Sequence, residues 1–376
     1  MYYSLVYRPL LAILSLVSIV AHAAVPFEPE LSPFQPNLQL IWERAFASQI
    51  EDIVSRSGHP DQLIITLAMP PEIHLIDLKT LAPYAINRTR IYTSPRSQAI
   101  LGITEVYPDV YAFIAGNTLV FPYYKVFPGI HSLYLLNLTT FEANNTGWTT
   151  NRTAVVTKLA DLQANNPSSI ATLPGKNPLL LIADSTAGSI LAVNPKTGEQ
   201  NTLYTHESMQ PLPNAPEPVG VKAFRVLDKY IYYGNHFSHA LYRLPIDVDN
   251  TAADSVNIRP TIRTTGEPQL MVQDRNFPRA DGLAVRYRGT EKIDGALEII
   301  VTGSNSVVKV EHTVGGGWAY HFVSRGWRGS NSVRGATNAA FGVGDWVQNV
   351  FITTGGGVAA DIFAFFGPSR VLRIGI

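Results

Sequence analysis

Hydrophobic and polar positions along the chain follow a short pattern that recurs six times. We expect each copy to end with a strand of alternating apolar and polar residues, and these strands begin 51 to 66 residues apart, at 73, 133, 190, 241, 307 and 371. A more uniformly apolar strand precedes each of them, at 63–68, 110–116, 179–184, 230–235, 297–302 and 349–354. A third strand opens most units, around Ile53, Ile103, Ile170, Phe224, Leu283 and Ala340.

Repeats of several short strands with this period predict an all-β fold, a six-bladed β-propeller with blades of about four antiparallel strands. Runs such as Leu179–Asp184 are apolar on both faces, which is typical of strands buried between sheets. A doubly wound α/β fold would need amphipathic helices between strands, and the sequence contains no long capped helical stretch. We expect the segment 38–46 to pair with the C-terminal strand 370–376 and close the ring, which removes an exposed sheet edge.

The first 23 residues have the composition of a secretory signal peptide. Arg8 precedes a short apolar run, 10–20, and an Ala-His-Ala sequence ends at Ala23. The run is too short for a membrane-spanning helix, which needs ~20 residues. We therefore expect one propeller domain, 24–376, in a protein that is secreted or kept in an internal secretory compartment, without a membrane span after cleavage. Four N-glycosylation sequons agree with this prediction, at Asn87, Asn137, Asn144 and Asn151.

Composition narrows the possible chemistry. Hydrophobic residues make up 46% of the 376 residues and charged residues 15%, which argues against a disordered chain. Lys and Arg together number 29, as do Asp and Glu, and this zero net charge argues against a nucleic-acid partner. The chain has no Cys, so disulfides, thiolate catalysis and cysteine-ligated metals are excluded. No nucleophile elbow, Walker loop or zinc-protease motif occurs.

In five of the six units polar residues stand immediately before the predicted opening strand, where a propeller brings its innermost strands together around the axis. We expect these residues to form a ring at one mouth of the axial channel. In blade order the pairs are Glu51-Asp52, Leu101-Gly102, Ser168-Ser169, Lys222-Ala223, Asp281-Gly282 and Asn338-Ala339. Each one alone is also explained as a polar residue that caps a turn.

Two further groups of residues are candidates for substrate binding. Asn235 and His236 follow the apolar strand of the fourth unit, although such residues more often belong to plain turns. The insertion 121–127 has four aromatics in seven residues and predicts a lid or pocket wall, unless it packs on a neighbouring blade. From these groups and the ring, the candidate substrate-binding residues are Tyr123, Tyr124, Phe127, Asn235, His236, Asn338 and Phe341.

The organisation of 38–376 resembles the six-bladed calcium-dependent phosphotriesterase superfamily, which includes gluconolactonase-like and strictosidine-synthase-like proteins. The segments that carry this resemblance are 50–56, 102–111 with 115–117, 181–185, 220–224 and 338–342. They are most similar to a secreted fungal branch, some members of which resemble hetero-Diels–Alderases of natural-product pathways. Those enzymes join a tropolone quinone methide to a humulene-type sesquiterpene.

The resemblance also implies a metal site that this sequence matches in part. The lactonase members hold calcium on the axis with a Glu, two Asn and an Asp, for which Glu51 and Asp281 stand here. Lys222 occupies the place of one Asn, and Ser168 replaces another possible ligand. Because a lysine ammonium repels Ca²⁺, which takes six to eight oxygen ligands, we expect no bound cofactor.

Three functions remain open at this point. The first is a metal-free enzyme of the hetero-Diels–Alderase type acting on small apolar metabolites, with Lys222, Glu51 and Asp281 as catalytic residues. The second is a hydrolase of the lactonase or esterase type that uses Ca²⁺ held by Glu51 and Asp281. The third is a secreted binding propeller without catalysis, which a polar rather than apolar mouth would favour.

Overall fold

Short antiparallel strands account for nearly all the regular structure of the protein. The computed structural model describes residues 38–44, 48–79, 88–119, 125–142, 154–249, 261–326, 333–355 and 368–376. These residues belong to one compact unit, 35–376. The predicted signal peptide 1–23, the sequons at Asn87, Asn144 and Asn151, and the aromatic residues Tyr123 and Tyr124 lie outside the described residues.

The described strands form six antiparallel sheets, each a blade of the predicted propeller. Blade 1 contains β2 (Gln49–Ser55), β3 (Gln62–Met69), β4 (Glu72–Asp77) and β5 (Arg88–Thr93). Blade 2 contains β6 (Ala99–Tyr107), β7 (Val110–Leu119), β8 (Lys125–Asn137) and β9 (Val155–Asp161). Blade 3 contains β10 (Pro167–Leu173), β11 (Leu179–Asp184), β12 (Ser189–Val193) and β13 (Gln200–Thr205).

The remaining blades follow in chain order. Blade 4 contains β14 (Val221–Leu227), β15 (Tyr230–Asn235) and β16 (Ala240–Asp249), with β17 (Thr261–Thr264) and β18 (Gln269–Gln273) both paired to β16. Blade 5 contains β19 (Gly282–Tyr287), β20 (Leu297–Gly303), β21 (Ser306–His312) and β22 (Trp318–Arg325). Blade 6 contains β23 (Ala336–Phe341), β24 (Asn349–Thr354), β25 (Ser369–Gly375) and, as its outer strand, β1 (Gln39–Arg44).

Helix is confined to three single-turn 3₁₀ segments in the described part of the chain, Glu207–Met209, Asp294–Ala296 and Gly344–Trp346. No helix found there is long and apolar enough to cross a membrane. The fold class and the blade number are those that the sequence pattern predicts.

The ring closes as predicted, through pairing of the two ends of the chain. Strand β1 lies antiparallel to β25, with Arg44 opposite Ser369, so the sixth blade combines the C-terminal strands with an N-terminal one. Arg44 also donates from Nη1 to Glu72 Oε2 of blade 1 at 2.6 Å. The side chain of Glu72 is only 7% exposed, so this hydrogen bond connects the closing strand to blade 1 in a largely buried position.

The apolar core lies between neighbouring blades rather than in one central cluster. Ile114 of blade 2 and Ile182 of blade 3 belong to one buried cluster, and Ile65 of blade 1 and Phe351 of blade 6 belong to another. The inner strands β2, β6, β10, β14, β19 and β23 contact each other in cyclic order around the axis. This arrangement holds the first residues of six strands around one opening.

The alternating strand in each repeat is the third strand of its blade, so the prediction that it ends the unit is wrong. In blades 1 to 5 a further outer strand follows it in the chain. These outer strands, such as β5 with the sequence RTRIYT and β13 with QNTLYT, are polar and mostly half-buried or exposed. Their composition does not distinguish them from loops, because only one edge and part of one face are buried.

Candidate functional site

A β-bulge near the start of the inner strand occurs in five of the six described blades. The bulged residues are Glu51, Leu101 with Gly102, Ser168, Lys222 and Thr337. Blade 5 has Asp281 in the corresponding place, directly before β19, where its N–H donates to Thr302 O at 2.8 Å. A bulge re-aims the extra side chain away from the regular pleat. We call these residues the mouth ring.

The mouth ring matches the first residue of the predicted pair in five blades and differs in the sixth. There Thr337 occupies the bulge, and Asn338, the predicted residue, is 5% exposed and lies one position further into the strand. The difference of one residue reverses the face to which a strand side chain points. Thr337 Oγ1 donates to Ile50 O of blade 1 at 2.9 Å, so this position also joins two blades.

Lys222, Asp281 and His236 meet at the mouth ring. The ammonium of Lys222, on blade 4, forms an ion pair with Asp281 Oδ1, on blade 5. His236 Nδ1 lies 3.4 Å from that same carboxylate oxygen and 3.4 Å from Ala280 O. Because both neighbours of Nδ1 are acceptors, the neutral ring carries its proton on Nδ1 and leaves Nε2 unprotonated. The three side chains remain 14–21% exposed, so they are accessible from the channel mouth.

Glu51 faces this group from blade 1, on the opposite side of the axis from blade 4. It accepts a hydrogen bond from Gln49 Nε2 at 2.9 Å and is half-buried. Burial raises the pKa of Glu51 and the negative charge of Asp281 adds to this effect, whereas the ammonium of Lys222 lowers it. Glu51 therefore holds a proton closer to neutral pH than an exposed glutamate does.

His236 is shifted in the opposite sense. Burial lowers its pKa to about 4, and Lys222 lowers it further, while Asp281 opposes the shift. Its ring packs edge-on against Phe237 at 4.7 Å between centroids. The mouth thus combines a neutral imidazole, a carboxyl group with a raised pKa and a paired ammonium. Shifted ionisable groups that share a cleft are typical of functional sites.

Below the mouth ring a buried polar cluster joins four blades. Asp52, 2% exposed, accepts the N–H of Ile53 at 2.7 Å and the N–H of Ile103 at 2.9 Å. Its Oδ1 also accepts from Arg225 Nη2 at 3.3 Å and from the side-chain amide of Asn338. We call Asp52, Arg225 and Asn338 the axial latch. It belongs to the scaffold of the site, because its polar atoms bind one another and the backbone.

Asn235 also has a structural role. Its amide donates to Ser208 O at 3.0 Å and to Gln210 O at 2.8 Å, and its Oδ1 accepts from Ser238 N at 3.3 Å. Only 2% of the residue is exposed. The side chain therefore holds the turn that presents His236, and it is not available to contact a ligand.

Of the two described aromatic candidates, Phe341 lies away from the charged group. Phe127 is half-buried and part of β8, and Phe341 ends β23, four residues after the mouth-ring position Thr337. At about 3.3 Å per residue, Phe341 is roughly 13 Å further along the channel. The guanidinium of Arg286 covers its ring at 4.1 Å.

An open depression of about 490 Å³ lies at the far end of the inner strands. Val54, Thr104, Thr172 and Val226 contribute to its walls from four successive blades. The inner strands therefore carry a charged group of side chains at their start and border a depression with apolar and hydroxyl-bearing walls at their end.

The side chains at the charged mouth do not fit calcium. One of the two carboxylates that the metal would need, Asp281, is already paired with the ammonium of Lys222. No group of three or more His, Cys, Asp or Glu that could hold a metal occurs among the described residues. Calcium takes six to eight oxygen ligands, and a neighbouring ammonium opposes its charge.

Comparisons with known proteins agree on the fold. No protein-family profile and no curated protein sequence matches the chain. Solved structures that it resembles include regucalcin, a calcium-binding protein from Agrobacterium tumefaciens, with 16% identity, a TM-score of 0.53 and coverage of 90% of this chain and 92% of that one. The PQQ-bound aldose sugar dehydrogenase of Streptomyces coelicolor follows with 12% identity, a TM-score of 0.51 and coverage of 91% and 98%. An auxiliary nutrient binding protein of Bacteroides ovatus has 11% identity, a TM-score of 0.55 and coverage of 90% and 78%. At these identities the likeness shows the fold alone, the six-bladed propeller described above.

Proposed function

We propose that the mouth ring is the active site of a metal-independent enzyme that acts by proton transfer and hydrogen bonding on a small organic substrate. The observation that carries the proposal is the convergence of Lys222, Asp281, His236 and Glu51 from three blades on one opening. Four ionisable side chains on rigid inner strands and a short turn give a preorganised electrostatic environment, which is the largest contribution in many enzymes.

Each of these side chains has a role in the proposed chemistry. Lys222 donates a hydrogen bond from its ammonium to a substrate oxygen that gains negative charge, and Asp281 orients that ammonium through their ion pair. Glu51, whose pKa is raised by burial, acts as the proton donor or acceptor. His236 is neutral there and offers Nε2 as a hydrogen-bond acceptor.

Within this class we propose the reaction that the sequence resemblance implies, a hetero-Diels–Alder addition of a tropolone quinone methide to a humulene-type sesquiterpene. Forming the quinone methide from a hydroxymethyl precursor transfers one proton to the departing hydroxyl and removes one from the ring hydroxyl, with loss of one water. In this proposal Glu51 supplies the first proton, and the carboxylate that this leaves takes up the second proton from the ring hydroxyl, so that the residue returns to its starting state. The addition itself moves no proton and gains from orientation of the two partners and from Lys222 bonding to the quinone oxygen.

A deletion experiment with matched variants tests the proposed function. The gene is deleted in its native host, metabolites are compared by high-resolution mass spectrometry, and the strain is complemented with wild type, Lys222→Ala or Lys292→Ala. Lys292 is a suitable control because it pairs with Asp228 at 3.0 Å and is 65% exposed, outside the mouth ring.

We expect deletion to remove one product and accumulate two smaller precursors. Wild type and Lys292→Ala restore the product. Lys222→Ala restores less than about a hundredth of it, because loss of one preorganised hydrogen-bond donor lowers kcat by about 10²–10³. Full restoration by Lys222→Ala would refute the assignment of this lysine. A requirement for calcium, seen as loss of activity with chelator, would support the lactonase alternative instead.

The polarity of the mouth favours one second candidate, a binding propeller without catalysis. Apart from Leu101 and Gly102, which are buried, the described ring residues are charged or carry hydroxyl groups. The nutrient binding protein named above shares this fold. An unchanged metabolite profile after deletion, together with binding of a polar metabolite by the purified protein, would favour this function.

Entry into the secretory pathway is part of the proposal. Asn137 is exposed at the end of β8, and its Oδ1 accepts from Thr139 N and Oγ1 at 2.9 and 2.7 Å. We expect the mature protein to begin near Ala24 and to lose mass when treated with an N-glycosidase. An intact N-terminus in protein from the native host would contradict the signal-peptide prediction.

A further inference from the structure

A second cavity opens between blades 4 and 5, on the same side of the propeller as the mouth ring. Its volume is about 280 Å³. The walls come from the turn after β15, the segment between β18 and β19, the turn after β20 and the end of β22. The segment between β18 and β19 continues directly into Asp281 of the mouth ring, which places the cavity beside it.

The cavity is strongly positive although the chain has no net charge. Arg275, Arg279 and Arg325 line it, and no Asp or Glu occurs among its described lining residues. Guanidinium groups gathered around one small volume raise its electrostatic potential, which attracts an anion. The segregation of charge thus favours an anionic ligand.

Aromatic rings hold two of these guanidinium groups by their faces. Arg279 lies over Phe237 at 5.0 Å, and Arg325 lies over Phe322 at 4.7 Å. A guanidinium that stacks through its face keeps its N–H donors in its plane, where they can bind an oxyanion. The stacking also restricts the two side chains, which lowers the entropy cost of binding.

Neutral donors complete the wall between the arginines. Ser304 and Asn305 lie in the tight turn after β20, where Ser304 has a positive φ of 54° and the hydroxyl of Ser306 donates to Gly303 O at 3.3 Å. Asn305 Oδ1 accepts from Gly335 N at 3.1 Å, which leaves the side-chain NH₂ of Asn305 as a donor. His239 donates from Nδ1 to Phe277 O at 2.6 Å, so the ring also has a fixed position.

We propose that this cavity binds a tetrahedral oxyanion, the phosphate or sulfate group of a small molecule. Donors from three different segments surround the volume, an arrangement that suits four oxygens in a tetrahedron better than the two oxygens of a planar carboxylate. The proposal concerns a site separate from the charged mouth and does not require the mouth to be catalytic.

Calorimetric titration of the purified protein with inorganic phosphate tests the proposal, with sodium chloride holding ionic strength constant. Inorganic sulfate and acetate are titrated in parallel. The variants are Arg279→Gln and Arg325→Gln, and the control is Arg263→Gln, an exposed arginine paired with Asp247 at 2.7 Å away from the cavity. Thermal unfolding of each variant without phosphate checks that it is folded, and Arg325 is exposed enough that its variant retains the fold.

We expect phosphate and sulfate to bind wild type and the control equally, and acetate to bind at least about tenfold more weakly. Each of the two test variants weakens phosphate binding by at least about tenfold, because a charge-assisted donor pair is lost. Absence of phosphate and sulfate binding to wild type overturns the proposal, as does equal weakening in the control. Preferential binding of acetate overturns the assignment to a tetrahedral group.

Discussion

The axial latch allows a quantitative test of how the mouth is held together. In Asp52→Asn one carboxylate oxygen becomes an NH₂ group. Both oxygens of Asp52 accept hydrogen bonds, one of them from Ile103 N–H at 2.9 Å and the other from Arg225 and Ile53. Whichever way the new amide turns, its NH₂ faces a donor, and Arg225 loses its counter-charge.

Removing one partner of a buried ion pair costs ~3–5 kcal/mol, a large part of a total stability of ~5–15 kcal/mol. The matched control is Asp247→Asn, which breaks an exposed ion pair with Arg263 and should cost under ~1 kcal/mol. Chemical unfolding followed by tryptophan fluorescence measures both. If the free energy of unfolding of Asp52→Asn lies within ~1 kcal/mol of that of Asp247→Asn, the latch does not hold the blades together and the reasoning is refuted.

Three further predictions concern the rest of the scaffold. Burial lowers the pKa of His131 to about 4, so the stability that this neutral imidazole contributes is complete above about pH 6.5 and falls by up to ~3 kcal/mol towards pH 4. The unfolding midpoint of His131→Asn should therefore fall less steeply with decreasing pH than that of wild type, and an equal slope would contradict the assignment. Arg44→Met removes the hydrogen bond to Glu72, which should lower the free energy of unfolding by ~1–3 kcal/mol and speed hydrogen exchange in β1. Unchanged exchange would show that this contact does not secure the closing strand. Gly303→Ala places a methyl group 1.8 Å from a backbone carbonyl oxygen and should destabilise the folded protein by at least ~2 kcal/mol. Gly315→Ala, whose methyl group has no atom within 4 Å, should leave the stability unchanged, and equal unfolding midpoints of the two variants would argue against the close approach at Gly303.

The sequence pattern predicts the central strands of the blades well because burial on both faces leaves a continuous apolar run. The run 179–184 coincides with β11, and 230–235 coincides with β15. Outer strands such as β22 (WAYHFVSR) alternate between half-buried and exposed positions and are stabilised by pairing to one neighbour. Their place in the fold follows from tertiary pairing, which a single sequence expresses weakly.

The candidate site depends on β-bulges at the start of the inner strands, which re-aim single side chains. Lys222 and Asp281 come together as the repeat spacing suggests, because equivalent positions of neighbouring blades are adjacent. The choice between Thr337 and Asn338 depends on a one-residue register that the pattern of apolar residues does not determine. The sequence pattern does not indicate Arg225 either, because it lies three residues beyond Lys222, inside the strand. In the structure its Nη2 reaches Asp52 on the opposite blade.

The latch and the mouth ring are consecutive layers of the same strands, and this links stability to the proposed chemistry. Glu51 faces the mouth while Asp52, the next residue, is bound by donors from three other blades. Fixing Asp52 fixes the position of Glu51 relative to Lys222, and displacement of a catalytic group by about 1 Å can cost on the order of 10² in rate. Asp52→Asn should therefore reduce turnover even under conditions where the variant remains folded, and Asp247→Asn should not. A folded Asp52→Asn protein with wild-type turnover would show that the mouth keeps its geometry without the latch.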